Sequence, residues 1–110
     1  MFILKSPPDS RDWIADNDRR LGSNGMDYPP ELDYRNQLQD IRNQGNQGSC
    51  AAQSAACMKE WQERLDMGLD EHMSPQFIYN NRKSQESEGM YVRDLMRVLS
   101  KLGCCREESY

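Results

Sequence analysis

Four cysteines carry the most reactive chemistry in the chain, and Cys50 has the most informative surroundings. It follows Asn43-Gln44-Gly45-Asn46-Gln47-Gly48-Ser49, a run with no hydrophobic side chain and two glycines. Such a run reads as a loop that needs unusual dihedrals. Directly after it the pattern turns helical. A cysteine at this junction stands where the free N–H groups and the dipole of a helix favour an anion, and the thiolate is the nucleophilic form of the side chain. Gly45 and Gly48 would let the loop backbone approach a substrate closely, with Ser49 next to the thiol. Gln44, six residues before the cysteine, can offer a side-chain N–H to a developing oxyanion alongside the Cys50 amide. The plainer reading is a small apolar residue buried at a helix start. The pattern alone leaves both open.

The elements that must position these residues are mostly helices. Ser49 is the N-cap candidate for a helix that begins at Cys50, in which Met58, Trp61 and Leu65 recur at apolar spacing. Cys57, Trp61 and Leu65 form the adjoining ridge, so Cys57 and Trp61 are expected in the core. Lys59–Glu63 and Glu60–Arg64 are four apart on the more polar side, and Gly68 is a natural stop. Ala51, Ala52, Ala55 and Ala56 make the first half thin, so that something can pack very close to it. Ser74-Pro75 predicts the N-cap and first residue of a second helix carrying Phe77, Ile78 and Tyr79. Val92, Leu95, Met96, Leu99 and Leu102 mark a third, ended by Gly103. Residues 1–30, with Pro7, Pro8, Pro29 and Pro30, read as an arm with one helical turn around Asp12 to Arg20. The arm contains Trp13, Ile14 and Leu21, so parts of it are expected to pack. Leu32 to Ile41 reads as a short extended or single-turn piece.

Composition narrows the classes. Leu, Ile, Val and Phe make up only 17 of 110 residues, a poor core for a chain whose net charge is just −4. That balance suits a fragment, or a chain that borrows core from a partner. The acidic balance, with both signs interspersed, argues against a nucleic-acid partner. No apolar run is long enough for a membrane span or a signal peptide, so no membrane partner or secretion is expected. Cys50, Cys57, Cys104 and Cys105 have neither disulfide-scaffold nor zinc-ribbon spacing, and the single histidine, His72, lies far from them in sequence. No metal site and no cofactor are expected.

The segment from Asn43 to Cys50 resembles the active-site segment of papain-like cysteine proteases, where a glutamine stands six residues before the nucleophile within Gln-Gly-x-Cys-Gly-Ser-Cys-Trp-Ala-Phe. Leu32-Asp33-Tyr34-Arg35 resembles the Asp-x-Arg that opens the mature enzyme. Met73-Ser74-Pro75-Gln76 resembles the Leu-Ser-x-Gln of the second helix, and the stretch from Leu102 to Tyr110 resembles the Gly-Ile/Val…Tyr-Pro-Tyr segment. The likeness runs over residues 29–110 in order. It implies an α+β fold of which this chain is the mainly helical left-domain half, with little strand, preceded by an N-terminal arm or short pro-like segment at 1–28. By the resemblance Cys50 is the nucleophile, Gln44 belongs to the oxyanion hole, and the substrate is a polypeptide.

Gln47 stands where the family has a disulfide cysteine, which fits a reducing compartment, cytoplasmic or within a larger assembly such as a virion. Ala51 and Gln53 replace two aromatics. In the papain group the histidine base and its orienting asparagine follow the cysteine by about 130–150 residues, which places them outside this chain. His72 does not match that base and reads as a surface or capping residue. The resemblance therefore implies an incomplete thiol endopeptidase, completed by a second chain or a C-terminal portion. The alternative is a catalytically inactive papain-like module with a structural or assembly role.

Overall fold

A computed structural model of the chain describes residues 3–14 and 29–110. The predicted turn from Asp12 to Arg20 falls mostly outside these residues, as does Leu21. In chain order the described elements are strand β1 (Ile3–Leu4), helix α1 (Cys50–Met67), helix α2 (Pro75–Asn80), strand β2 (Met90–Tyr91) and helix α3 (Val92–Lys101). Short 3-10 turns occupy Arg35–Gln37 and Glu107–Ser109. The result is a small, mainly helical domain with one two-residue parallel pairing as its only sheet among the described residues.

α1 is the central element, and its ends follow local chemistry. It begins at Cys50 and stops at Gly68, whose φ of 65° lets its N–H turn back to the Arg64 carbonyl at 3.0 Å. Ser49 occupies the N-cap position but makes no capping bond with its side chain. Its hydroxyl is buried without a partner, and only its carbonyl serves the helix, accepting from Gln53 N at 2.9 Å.

The buried face of α1 corrects the expected one. Ala51, Ala52, Ala55 and Ala56 are buried, whereas Met58 and Leu65 are more than half exposed. Small side chains let neighbouring backbones come close enough that a helix without large aliphatics still buries a full face. Met73, Ile78, Tyr79, Met90, Leu95 and Val98 complete the core. Trp61 and Cys57 are only half-buried. The indole lies tilted against the Tyr34 ring, centres 5.0 Å apart, and donates to Gln37 Oε1 at 3.0 Å, which docks the first 3-10 turn on α1.

The second helix is short and capped as expected. Ser74 Oγ accepts from Phe77 N at 3.1 Å, and Pro75 fills the first helical position. In α3 the buried line is Leu95 and Val98, with Leu99 packed against it, while Val92, Met96 and Leu102 are largely exposed. Gly103, at φ 77°, ends that helix with its N–H on Val98 O at 3.1 Å.

Part of the arm packs, through its first residues. Trp13 and Ile14 are 77% and 61% exposed. The arm is held instead by Ile3 and Leu4, which pair with Met90 and Tyr91. It also supplies a cap that α3 lacks. Tyr91, the N-cap residue, makes no side-chain bond, and Ser6 Oγ accepts from Arg93 N at 3.3 Å across 87 positions. Arg93 then clamps Asp12, its Nη2 lying 2.7 and 2.6 Å from the two carboxylate oxygens.

Candidate active site

The loop before Cys50 is built from short internal bonds. Asn43 Oδ1 accepts from Gly45 N at 2.8 Å, and Gly45 takes a φ of 63° that a larger residue would resist. Gln44 Nε2 donates to Gln47 O at 2.6 Å, so its amide is oriented by its own loop. A primary amide has two N–H groups, and the second is left to point elsewhere.

Gly48 sets the depth at which this loop sits. A Cβ there would lie 2.4 Å from Glu88 O and 2.8 Å from Glu88 C, which is backbone and cannot swing aside. The Glu88 carbonyl is itself fixed, because Tyr79 Oη donates to it at 2.7 Å, and Arg82 lies 3.8 Å from the centre of the Tyr79 ring. Gly48→Ala is therefore expected to destabilise the domain by about 1–3 kcal/mol, the cost typical of overpacking. Urea unfolding of the variant checks this, and an unchanged midpoint would mean that the 88–89 backbone yields freely.

At the end of this loop Cys50 is half-buried, its thiol unbonded to any other sulfur. Its Sγ has no hydrogen-bond partner among the described residues. The first intrahelical bond of α1 runs from Gln53 N, which leaves the Cys50 amide among the free donors of the helix start. Thus Gln44, Gly45, Gly48, Ser49 and Cys50 lie on one continuous loop-to-helix turn, and Gly48 and Ser49 are its buried part.

The histidine is elsewhere. His72 sits beside Glu60, with Nδ1 3.6 Å from the carboxylate. Ten residues of helix separate Glu60 from Cys50, about 15 Å along the axis at the helical rise. His72 is neither a free surface residue nor a cap, as the sequence suggested. Its Nδ1 lies 2.9 Å from Arg42 Nη2, and its carbonyl accepts from Glu107 N at 2.8 Å.

The chemistry around His72 was not anticipated. Glu60, expected on the polar face opposite Arg64, is 4% exposed and forms an ion pair with Arg42. The same carboxylate accepts from Met73 N at 2.8 Å, and Arg42 Nη2 donates to Met73 O at 2.8 Å. One buried carboxylate and one guanidinium thereby tie the segment before the loop, α1 and the start of α2 together. The other expected pair, Lys59–Glu63, does form at 2.5 Å.

Cys104 and Cys105 are both half-buried free thiols. Their backbone runs against residues 72–74, with Ser74 N donating to Cys105 O at 2.9 Å. Burial raises the Cys104 thiol above its ordinary range, and the neighbouring Cys105 pushes the same way. For an acid whose folded value is raised, the neutral form is favoured on folding. That contribution is complete below the unfolded value and is lost as pH rises through the folded one. Alkylation of Cys104 by iodoacetamide near neutral pH should be slower in the folded chain than in urea, and the difference should close at alkaline pH. Equal rates at all pH values would contradict the assignment.

Among the described residues no three His, Cys, Asp or Glu side chains are placed to hold a metal, and no helix is long and apolar enough to cross a membrane. Comparison of the chain with family models, curated proteins and solved structures returns no match.

Proposed function

We propose that this chain is the N-terminal, mainly helical half of a papain-like α+β cysteine endopeptidase, with Cys50 as nucleophile and Gln44 in the oxyanion hole. The observation that carries the reading is the position of Cys50. A free, half-buried thiol stands on the first residue of an 18-residue helix, behind a glycine-bearing loop wedged against the Glu88 backbone. The four collinear segments of resemblance run in the order such an enzyme requires.

In this mechanism the thiolate sulfur attacks the carbonyl carbon of a polypeptide bond. The carbonyl oxygen becomes an oxyanion that accepts from the Cys50 amide and from the N–H of Gln44 not used by Gln47. The leaving amine takes a proton from an imidazolium, and the carbonyl stays on sulfur as a thioester. Water, deprotonated by the same imidazole, then releases the acid and restores the thiol. His72 is held by Arg42 beside Glu60, ten residues along α1 from Cys50, too far to serve. The base and its orienting asparagine belong to a second chain or a C-terminal portion outside these residues.

Treating the complete assembled protein with a peptidyl epoxide tests the proposal. Ring opening by the thiolate forms one C–S bond and adds the full reagent mass. Stoichiometric addition confined to Cys50 supports an active thiol. No addition, or equal addition at Cys57, would favour the non-catalytic module, a reading that Ala51 and Gln53 in place of aromatics also suggest.

A further inference from the structure

On the face built by the arm, the turn after α2 and the start of α3 lies a cavity of about 510 Å³ whose lining is rich in cations. Arg11 comes from the arm, Lys83 from the turn, and Arg93 and Arg97 from successive turns of α3. On a chain with a net charge of −4, four cationic side chains from three separate segments meet at one opening.

Asp94 also lines the cavity, and Asp9 and Asp12 pair with two of its arginines, each carboxylate already engaged. Asp94 is 8% exposed and turned inward, accepting from Lys83 N at 2.6 Å and from Arg97 Nε at 2.8 Å. Both oxygens of Asp12 face Arg93 Nη2, and Asp9 holds Arg11 Nε and Nη2 at 2.9 and 2.7 Å. Arg93 Nη1 also donates to Pro7 O at 2.5 Å and Arg97 Nη2 to Asn81 O at 3.0 Å, so the guanidinium planes are fixed, while Nη1 of Arg11 and of Arg97 keeps no partner among the described residues. The Lys83 ammonium has no partner among the described residues. Lys offers three donors and Arg five, with no acceptor in either. Three of the four cations are thus paired, and the donors left open toward the cavity are the Lys83 ammonium and Nη1 of Arg11 and Arg97. Pro7 and the Tyr91 ring form its less polar wall.

We infer that this cavity binds an aryl phosphate, the dianionic phosphate among Lys83, Arg97 and Arg11 and the ring against Pro7 and Tyr91. A phosphomonoester matches the imbalance because it brings three acceptor oxygens and nearly two charges, and guanidinium edges engage such oxygens in pairs. A carboxylate brings one charge and two oxygens, fewer than the phosphomonoester's nearly two charges and three oxygens. The volume exceeds what a bare phosphate needs, which leaves room for the ring. The ligand could be a free small molecule or a phosphotyrosine side chain of a peptide, since both present the same group.

The test is a titration of the full chain, followed by the backbone amides of Lys83, Ser84, Tyr91 and Arg93. Phenyl phosphate, inorganic phosphate, phenol and a phosphotyrosine tetrapeptide serve as probes. Saturable shifts at these amides, with phenyl phosphate binding about tenfold or more tightly than phenol, are expected from charge-assisted bonds. Tighter binding of the tetrapeptide than of phenyl phosphate assigns the peptide source, and equal binding assigns the free ligand. Lys83→Glu should weaken phenyl phosphate about tenfold or more, and because Lys83 is exposed and unpaired the fold should survive, as its unfolding midpoint will show. Shifts that do not saturate by about 10 mM, or equal affinity for Lys83→Glu and the parent, would overturn the assignment. Neither outcome bears on Cys50, so this site and the thiol reading stand or fall separately.

Discussion

Replacing Glu60 by alanine is expected to destabilise the domain by about 3–5 kcal/mol, enough to leave much of the chain unfolded at ambient temperature. The reason is geometric. The carboxylate is buried, pairs with Arg42 and accepts from Met73 N, so its loss takes the buried counter-ion from a guanidinium and the partner from an interior backbone N–H. Without Glu60, Arg42 keeps its bond to Met73 O and, as its one remaining carboxylate, the half-exposed Glu107 at 3.5 Å from Nε. Glu60→Gln keeps an acceptor for Met73 but not the charge, and should cost less. The double variant Arg42→Met/Glu60→Leu should recover most of the loss, because removing both ions avoids leaving one unpaired. Urea unfolding of the three variants provides the ranking. A loss below about 1 kcal/mol for Glu60→Ala would mean that water screens the pair as it does at a surface.

The second large effect follows from the proposed thiol mechanism in the completed protein. Cys50→Ala should remove peptide hydrolysis altogether, since none of the other three thiols stands at the end of the Gln44 loop. Gln44→Ala should lower kcat by about 10²–10³-fold, the usual consequence of deleting one oxyanion donor. It should leave the unfolding midpoint nearly unchanged, because its one bond is to Gln47 O within the same loop. A Gln44→Ala protein that hydrolyses peptides at the parental rate would remove Gln44 from the mechanism. Hydrolysis surviving in Cys50→Ala would remove the thiol itself.

The parts of the fold legible in the sequence are those governed by neighbours in the chain. The start of α1 after a glycine-bearing loop, its end at Gly68 and the Ser74 cap of α2 all depend on contacts within four residues. The buried face of α1 was misjudged for a physical reason. Met58, Trp61 and Leu65 have the spacing of a core stripe, yet bulk at the right period does not guarantee burial when alanines beside it permit closer packing. The signal that could have corrected this is the row Ala52, Ala56, Glu60, in which a carboxylate continues a line of small residues at helical spacing. A charge on such a line needs a buried partner, and Arg42 lies 18 positions away. The pairing of Ile3 and Leu4 with β2 has no sequence signature, since two residues show no alternation. As for the site, the order of Gln44, Gly45, Gly48, Ser49 and Cys50 could be read directly. The carbonyl that Gly48 packs against belongs to Glu88 and emerges only from the fold.

The borrowed cap of α3 has a kinetic consequence. Contacts within α1, α2 and α3 close short loops, whereas the Ser6–Arg93 bond and the β1–β2 pairing close one of nearly ninety residues. Loop closure of that length must be met before any reward arrives, so pairings of this kind form late. The helices should thus assemble first, with α3 briefly uncapped, and the arm should dock afterwards. Run in reverse, the arm should detach in a partial opening below the free energy of global unfolding. Amides of Ile3, Leu4 and Arg93 should then exchange with solvent sooner than those of Ala56 or Val98. The helix whose first turn depends on Ser6 loses that support before it loses its core.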